Sequence, residues 1–471
     1  MSLLDSVDPR PVHFVGIAGA GMSGLAELFL RRGVPVQGTD ANPDGAPDLV
    51  ARGIPVHAHD AELVRGARAV VYSSAVPATH PELQAARELG LPIVRRAEAL
   101  GEAVRGGTLI AIAGTHGKTT TTVMTTEALA AAGLDPTGVA GGRVGAWGSN
   151  LRAGADALFV VEADEYDRSF LALTPTVAVV LNVEADHLDI YDDLADITRT
   201  FTQFQRPARA VVLCEDDAGA SALPQDASRE IVRYAVSDAS GGAARNARLV
   251  ARDVRLDAAG ARATVSFDGR EKGELVLQVP GLHNVRNALA ALGAGLMVGA
   301  RLADMLPGLA RFGGVERRFQ RLGAVRDVLV VDDYAHHPTE VAATIAAARA
   351  AHPERRLVVA FQPHLFSRTR DFADAFGAAL ASADVTMLCA IYPAREAPLP
   401  GVTSALIADA MRAHGRAPAW EGPMHDCAEA LATTVQAGDL VLTVGAGDIT
   451  RVGPALLSRL SAADASAAPS A

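Results

Sequence analysis

Residues 109–133 read LIAIAGTHGKTTTTVMTTEALAAAG: an apolar run, a turn with two glycines, and a Thr/Ala-rich run. A phosphate-binding loop of the usual form, G-x-x-x-x-G-K-[ST], would require glycine at 112, where this chain has Ile112. What remains is Gly114-Thr115-His116-Gly117-Lys118-Thr119. Phosphate binding needs free backbone N–H groups at a helix start, with small residues that let an anion approach them. Gly114 and Gly117 meet the steric need, and the run from Thr119 reads as helix through about Ala132. Lys118 is then placed to bridge outer phosphates, and the Thr119 hydroxyl to hold Mg²⁺. The segment predicts a phosphate-binding turn between a strand and a helix, and with it an α/β fold; a glycine-rich turn carrying a solvated lysine is the alternative.

At 471 residues the chain suggests about three domains of ~150 residues each. It is 49% hydrophobic and 21% charged, enough to bury substantial cores. The net charge is −11 with no basic block, which argues against a nucleic-acid partner held by a charged face. Cys214, Cys389 and Cys427 are too widely spaced for a metal pattern or a disulfide framework. They read as buried, reduced residues of a cytoplasmic protein. Met1–Arg10 mixes charges with a proline, unlike a secretory leader, and the apolar runs are broken well short of a membrane span.

Short β-branched runs alternate with Ala/Leu-rich helical runs in three blocks. The first, 1–106, opens on VHFVGIAG and closes at Arg105-Gly106-Gly107. The second, 107–322, opens on TLIAIAG and ends in FGGVERRFQRLG, where Gly313, Gly314 and Gly323 mark a joint. The third, 323–460, opens on DVLVVDDYAHHP; the tail 461–471 is small, polar and Pro-containing and is expected to be disordered. From about Asp238 to Gln278 apolar and polar residues alternate, so antiparallel strands are expected on the middle sheet.

The stretch VHFVGIAGAGMSGLAELFLRRG also runs from strand to helix, with Gly16, Gly19, Gly21 and Gly24. Gly19-Ala20-Gly21-Met22-Ser23-Gly24 has the G-x-G-x-x-G form of a pyrophosphate cradle. Asp40 follows the second strand about twenty residues on, suited to ribose hydroxyls, and Ser73 and Ser74 follow the third. NAD is the default ligand of such a loop, but the pattern fits NAD, FAD and a nucleotide-sugar diphosphate alike.

Further polar groups collect at strand ends. FVVEADEYDRSF carries Glu162, Asp164, Glu165 and Asp167, and carboxylates opposite a phosphate loop commonly orient Mg²⁺. AVVLNVEADHLDIY adds Glu184, Asp186, His187 and Asp189, with His187 a candidate metal or phosphate ligand. PGLHNVRNALAA sets Asn284 and Asn287 one helical turn apart. They suit adenine's donor and acceptor edge, or, for Asn284, a helix cap. GGVERRFQ contributes Arg317 and Arg318; VVDDYAHHPTE contributes Asp332, Asp333, Tyr334, His336 and His337; FQPHLFSRTRDF contributes His364, Arg368 and Arg370. LVLTVGAGDI ends a strand in Gly445, Gly447 and Asp448. H-H-P-T-E lacks the i, i+4 histidine face of a helix-borne zinc site, so the last third reads as a His/Arg rim for carboxylates and phosphates.

Together HFVGIAGAGMSG, GTHGKTTTT, EADEYD, HNVRNALAA, FGGVERRFQ, DDYAHHPTE and QPHLFSRTRDF resemble the Mur ligase superfamily of ATP-dependent amide-forming ligases, over nearly all of residues 12–450. G-T-x-G-K-T-T is that family's shortened phosphate loop, which adds Thr120 to the ATP contacts. The resemblance implies a Rossmann-like N-terminal domain, a central P-loop ATPase-type α/β domain and a C-terminal Rossmann-like α/β domain. It implies that the first binds a UDP-sugar rather than NAD, through Gly16, Gly19, Ala20, Gly21, Met22, Ser23, Asp40, Ser73 and Ser74. It implies ATP at residues 114–120, Asn284, Asn287, Arg318 and Asp333, with Mg²⁺ at Thr119, Glu162 and His187. Tyr334, His336, His364 and Arg368 would line the amino-acid region, with Lys118, His187, Arg318, His336, His364 and Arg368 as catalytic candidates. The wording is that of the alanine-adding branch, which implies UDP-N-acetylmuramate and L-alanine as substrates; a relative that attaches a recycled tripeptide is the nearest rival.

Overall fold

A computed structural model describes residues 2–237 and 246–467. Among the described residues three sheets form, one from each block of alternating runs. The first joins Val12–Val15 (β1), Val36–Thr39 (β2), Val56–His57 (β3), Ala69–Tyr72 (β4) and Ile93–Arg95 (β5) in the order β3-β2-β1-β4-β5, all parallel. Strand order reverses between β1 and β4, the place where open α/β sheets receive ligands beyond the strands' carboxyl ends. The first glycine loop follows β1 and Ser73 follows β4.

The second sheet contains Thr108–Ala113 (β6), Thr137–Val144 (β7), Ser149–Arg152 (β8), Leu158–Glu162 (β9), Val177–Val180 (β10), Ala210–Cys214 (β11), Glu230–Val236 (β12), Leu249–Asp257 (β13), Gly260–Phe267 (β14) and Arg270–Leu277 (β15). Its order is β15-β14-β13-β12-β11-β10-β6-β9-β7-β8. The central strands β6, β9, β10 and β11 are near-continuous apolar runs with buried interiors, as a parallel sheet covered on both faces requires. β13, β14 and β15 are joined by two-residue connections, which only antiparallel neighbours allow. The antiparallel strands expected over 238–278 are therefore present from Leu249 onward, although the buried start of β13 pairs in parallel with β12; 238–245 lie outside the described residues.

Gln320–Val325 (β16), Val328–Asp333 (β17), Arg356–Phe361 (β18), Val385–Cys389 (β19), Trp420–Gly422 (β20) and Asp439–Val444 (β21) make the third sheet, ordered β16-β17-β21-β18-β19-β20. It is parallel except for β16, which runs antiparallel to β17. Gly323 reads as a joint from sequence but sits inside β16, next to a register shift between Arg321 and Gly323. Glycine within a strand marks such an irregularity as readily as a linker.

Grouped by mutual contacts, the chain separates into two units. One comprises Met1–Asp253, Ala263–Leu275 and Arg286–Val315; the other comprises Val254–Arg262, Val276–Val285 and Glu316–Ala471. In the first unit, helix Ala20–Arg31 packs on β7 and β8, and Asn150 Nδ2 donates to Ala20 O at 2.7 Å. In the second, helix Val452–Ala467 replaces the start of the tail expected to be disordered from 461. Alanine and serine cost little in a helix, and buried Leu456 and Leu460 anchor it; 468–471 lie outside the described residues. The three cysteines are free and buried, and no described helix is long and apolar enough to cross a membrane.

Candidate functional site

The phosphate loop follows β6 and enters helix Lys118–Ala131, so its N–H groups meet the positive end of a helix dipole. Gly114 (φ +151°) and Gly117 (φ +82°) both lie where L side chains are strained. A Cβ on Gly117 would also stand 2.7 Å from Asn287 Oδ1, so the asparagine seals the loop's flank. The helix buries Thr119, Thr120, Thr121 and Thr122; the hydroxyls of Thr125 and Thr126 bond back to Thr121 O and Thr122 O. That back-bonding satisfies the buried hydroxyls of Thr125 and Thr126 within the helix.

Lys118 Nζ donates to Gly114 O at 2.7 Å and Thr115 O at 3.2 Å, and to both oxygens of Glu165 at 2.9 and 2.7 Å. Burial alone would discharge the lysine, but Glu165, Asp164 and Glu162 outweigh it and raise its pKa above the ordinary value. Glu165, equally buried, is held below the usual carboxylate range by Lys118 and His187 against the opposing effect of burial. His187 Nε2 lies 3.5 Å from Glu165 Oε1 and 3.7 Å from Asp186 Oδ2, on a backbone at φ +53°.

Glu162 ends β9, next to β6 in the sheet, and accepts from Gly141 N at 2.7 Å. A Cβ at Gly141 would fall 2.6 Å from that carboxylate. Mg²⁺ takes oxygen ligands in a negative surrounding. The carboxylates that hold Lys118 charged supply that surrounding, and Thr119 and Glu162 supply oxygens, so this donor set fits the ion. Thr115, His116 and His187 flank it: His116 N donates to Asn182 Oδ1 at 2.7 Å, and Glu184 N to Thr115 Oγ1 at 3.0 Å.

A cleft of about 240 Å³ lies over the first glycine loop, lined by Gly16, Gly19, Ala20, Gly21, Met22 and Ser73 together with Arg96, Gly141, Glu162 and Asp164. It thus runs from the proposed nucleotide-sugar loop to the carboxylates beside the phosphate loop. Ser74 is exposed at the next position, and Ser23 Oγ is turned to Ala20 O at 3.1 Å. Asp40 braces backbone: Oδ2 accepts from Ala18 N at 3.0 Å and Oδ1 from Asn42 N at 2.9 Å. Both carboxylate oxygens thus shape the turn around the first glycine loop.

Asn284 lies inside helix Leu282–Met297 and its Nδ2 donates to Pro280 O at 2.7 Å, a contact to the preceding turn and not an N-cap, whereas Asn287 stands at the phosphate loop. In the second unit Arg318, Asp333, Tyr334, His336, His364 and Arg368 gather where β17 and β18 end. Tyr334 packs against His336 with ring centroids 5.4 Å apart, and His336 against His364 at 5.9 Å. His364 Nδ1 lies 3.3 Å from Arg368 Nη1. Arg318 lies over the Tyr334 ring at 5.0 Å and 3.9 Å from Glu340, which caps the next helix.

Asp333 is buried and accepts from Phe319 N and Ala335 N, each at 2.8 Å. Burial pushes its pKa up to about 6, although Arg318 and the two N–H groups pull the other way. A carboxylate raised above its unfolded value contributes stability below that value and loses it as pH rises through about 6. The cost at neutral pH is about 3 kcal/mol. We therefore expect the stability of wild type relative to Asp333→Asn to fall between pH 4 and 7; a difference independent of pH in urea titrations would refute the shift.

Sequence reasoning missed several parts of these sites. Arg96 lies in the cleft, its Nη1 2.9 Å from where a Gly21 Cβ would be. Asn182 clamps His116 from both sides, and Tyr191 Oη donates to Glu165 O at 2.6 Å. Tyr392 stacks on His364 at 5.8 Å. The available signal was position just beyond a strand, which Arg96 and Asn182 share.

Comparison with known proteins agrees with this architecture. Residues 11–108 match the Mur ligase family catalytic domain, 112–295 the Mur ligase middle domain, and 317–447 the Mur ligase glutamate ligase domain. The UDP-N-acetylmuramate–L-alanine ligase of Salinibacter ruber is 44% identical over 458 residues, 96% of this chain and 95% of the relative. That of Acidothermus cellulolyticus is 46% identical over 457 residues, 95% and 94%. Among solved structures, the UDP-N-acetylmuramate–alanine ligase of Thermotoga maritima matches with a TM-score of 0.81 at 28% identity, over 96% of this chain and 100% of that one. A murein peptide ligase from Psychrobacter arcticus matches at 0.72 and 25%, over 96% and 98%. With three domains matched in order and full-length relatives at this identity, the chain belongs to the Mur ligase family.

Proposed function

We propose that the protein joins L-alanine to the lactyl carboxylate of UDP-N-acetylmuramate at the expense of ATP, a step of peptidoglycan precursor synthesis. The observation that carries this reading is 44–46% identity, over nearly the whole chain, to relatives named for that reaction. The lactyl carboxylate attacks the γ-phosphoryl group of ATP, the bond to the β-phosphate breaks, and an acyl phosphate and ADP result. The amine of L-alanine then attacks the acyl carbon, and phosphate leaves. Catalysis of this kind rests on positioning and charge neutralisation.

Lys118 and Arg318 would neutralise phosphate charge, and Asn287, Asn284 and Asp333 would hold the nucleoside. Thr119 and Glu162, with His187, would hold Mg²⁺, which supplies further neutralisation at the phosphates. His336, His364 and Arg368, beside Tyr334, would orient the amino acid and the acyl phosphate. The cleft over Gly16–Ser23 would take the UDP-sugar, and the cytoplasm, which holds ATP, is the proposed location.

An ADP-release assay tests the proposal: release should require both UDP-N-acetylmuramate and L-alanine. Release without the UDP-sugar would favour an ATPase switch. The structural likeness to a murein peptide ligase keeps one further reading, and a tripeptide outcompeting L-alanine would select it. Asp40→Ala, which frees the Ala18 N–H, should raise the KM for UDP-sugar about tenfold, the loss of one charge-assisted hydrogen bond, and spare that for ATP. Equal effects on both substrates would remove the first domain's assignment.

A further inference from the structure

The first sheet buries a polar cluster that the ligase reading does not use. Glu82, in the first turn of helix Pro81–Glu88, is fully buried. Its Oε2 accepts from Thr39 Oγ1 at 2.7 Å and lies 2.9 Å from His13 Nε2. Its Oε1 accepts from Asp60 N at 3.0 Å and lies 3.1 Å from His59 Nδ1. His80, the N-cap of the same helix, brings its ring edge-to-face against His59, with centroids 4.6 Å apart. One nitrogen from each of His59 and His80 and one oxygen of Glu82 lie mutually within 4.8 Å.

We propose that His59, His80 and Glu82 form a binding site for one Zn²⁺-like transition-metal ion, with water as the fourth ligand. Two imidazoles and a carboxylate with one open position are the donor set of open tetrahedral zinc sites. Bonds of about 2.0–2.2 Å set tetrahedral ligand atoms roughly 3.3 Å apart. The 3.1 Å between His59 Nδ1 and Glu82 Oε1 already has that spacing, and a His80 ring nitrogen lies within 4.8 Å of both donors. Ligating carboxylates are normally hydrogen-bonded in turn, and His13, Thr39 and the Asp60 N–H provide this for Glu82. His59 is exposed and His80 half-buried, so the cluster opens to solvent on the histidine side. Nitrogen donors separate this site from the oxygen donors that suit Mg²⁺ beside the phosphate loop.

The site has a mechanical link to the first glycine loop. The Thr39 hydroxyl joins the cluster, while Thr39 O accepts from Gly16 N at 2.8 Å and Ile17 N at 3.0 Å. An ion held by Glu82 would brace the strand end from which that loop starts.

The test uses full-length protein stripped of metal, held in excess Mg²⁺ and titrated with Co²⁺ as a spectroscopic stand-in for Zn²⁺. One equivalent should bind with the visible bands of tetrahedral Co²⁺, and Zn²⁺ should displace it. His59→Ala and His80→Ala, both away from the buried side of the cluster, should each weaken binding at least about 10–100-fold. Absence of a tetrahedral spectrum in the wild type, or uptake unchanged in both variants, would overturn the proposal.

Discussion

Lys118→Ala should turn over about 10²–10³-fold more slowly than wild type, or less still, with UDP-sugar binding intact. Its ammonium stands at the start of helix Lys118–Ala131, tied to Gly114 O and Thr115 O, where a phosphate would meet the loop's N–H groups. The same ammonium is the counterion of buried Glu165, so truncation also strands a carboxylate, and breaking such a pair costs about 3–5 kcal/mol. A slow enzyme could thus be slow because it is unstable. Lys118→Ala/Glu165→Gln separates the two effects, since it removes the stranded charge and should recover most of the lost stability. Turnover should stay low in the double variant, because no cation faces the phosphates. Recovery of turnover along with stability would remove Lys118 from the phosphate site.

The loop was legible because its chemistry is local. Two glycines, a lysine and a threonine, set between an apolar run and a helical run, specify strand, turn and helix without help from distant residues. The strand-end carboxylates were legible for the same reason: β9 and the stretch after β10 each end on a run of acidic residues. Asn182, Tyr191 and Tyr392 were not, because each acts through a tertiary contact to a loop or histidine remote in sequence. Asp40 shows a subtler limit. Its position after β2 was right, but whether a carboxylate meets a ligand or an N–H group depends on the path of the Ala18 backbone, which spacing does not encode. The start of the tail differs for the opposite reason: small polar residues suggest disorder from 461, yet 461–467 continue a helix that buried Leu456 and Leu460 dock.

Two adjacent arginines make the sharpest case, and Arg317→Ala should be the more destabilising of the pair. From sequence Arg318 carries the chemistry and Arg317 only accompanies it. In the structure Arg317 Nε lies 3.3 Å from Asp332 Oδ2, its Nη2 donates to Gly445 O at 2.7 Å and Gly447 O at 3.3 Å, and its guanidinium covers the Tyr334 ring at 4.7 Å. It therefore ties the end of β17 to the turn after β21. Its backbone and that of Phe319 lie at φ +60° and +46°, a strained course that these contacts hold in place. Asp332 is buried, and once the arginine is gone the Thr443 and Thr450 hydroxyls are left to share its charge. Arg317→Ala should cost about 3 kcal/mol, the lower end of the range for breaking a buried pair, as those hydroxyls remain. Arg317→Lys should recover less than half, because a single ammonium cannot span a carboxylate, two carbonyls and a ring face. Arg318→Ala gives up a loose 3.9 Å contact to Glu340, the cover of the Tyr334 ring and the attraction to Asp333, and should stay nearer wild-type stability than Arg317→Ala while losing turnover. Denaturant midpoints measured beside ADP release distinguish the neighbours, and equal stability losses in the two alanine variants would show that Asp332 does not depend on Arg317.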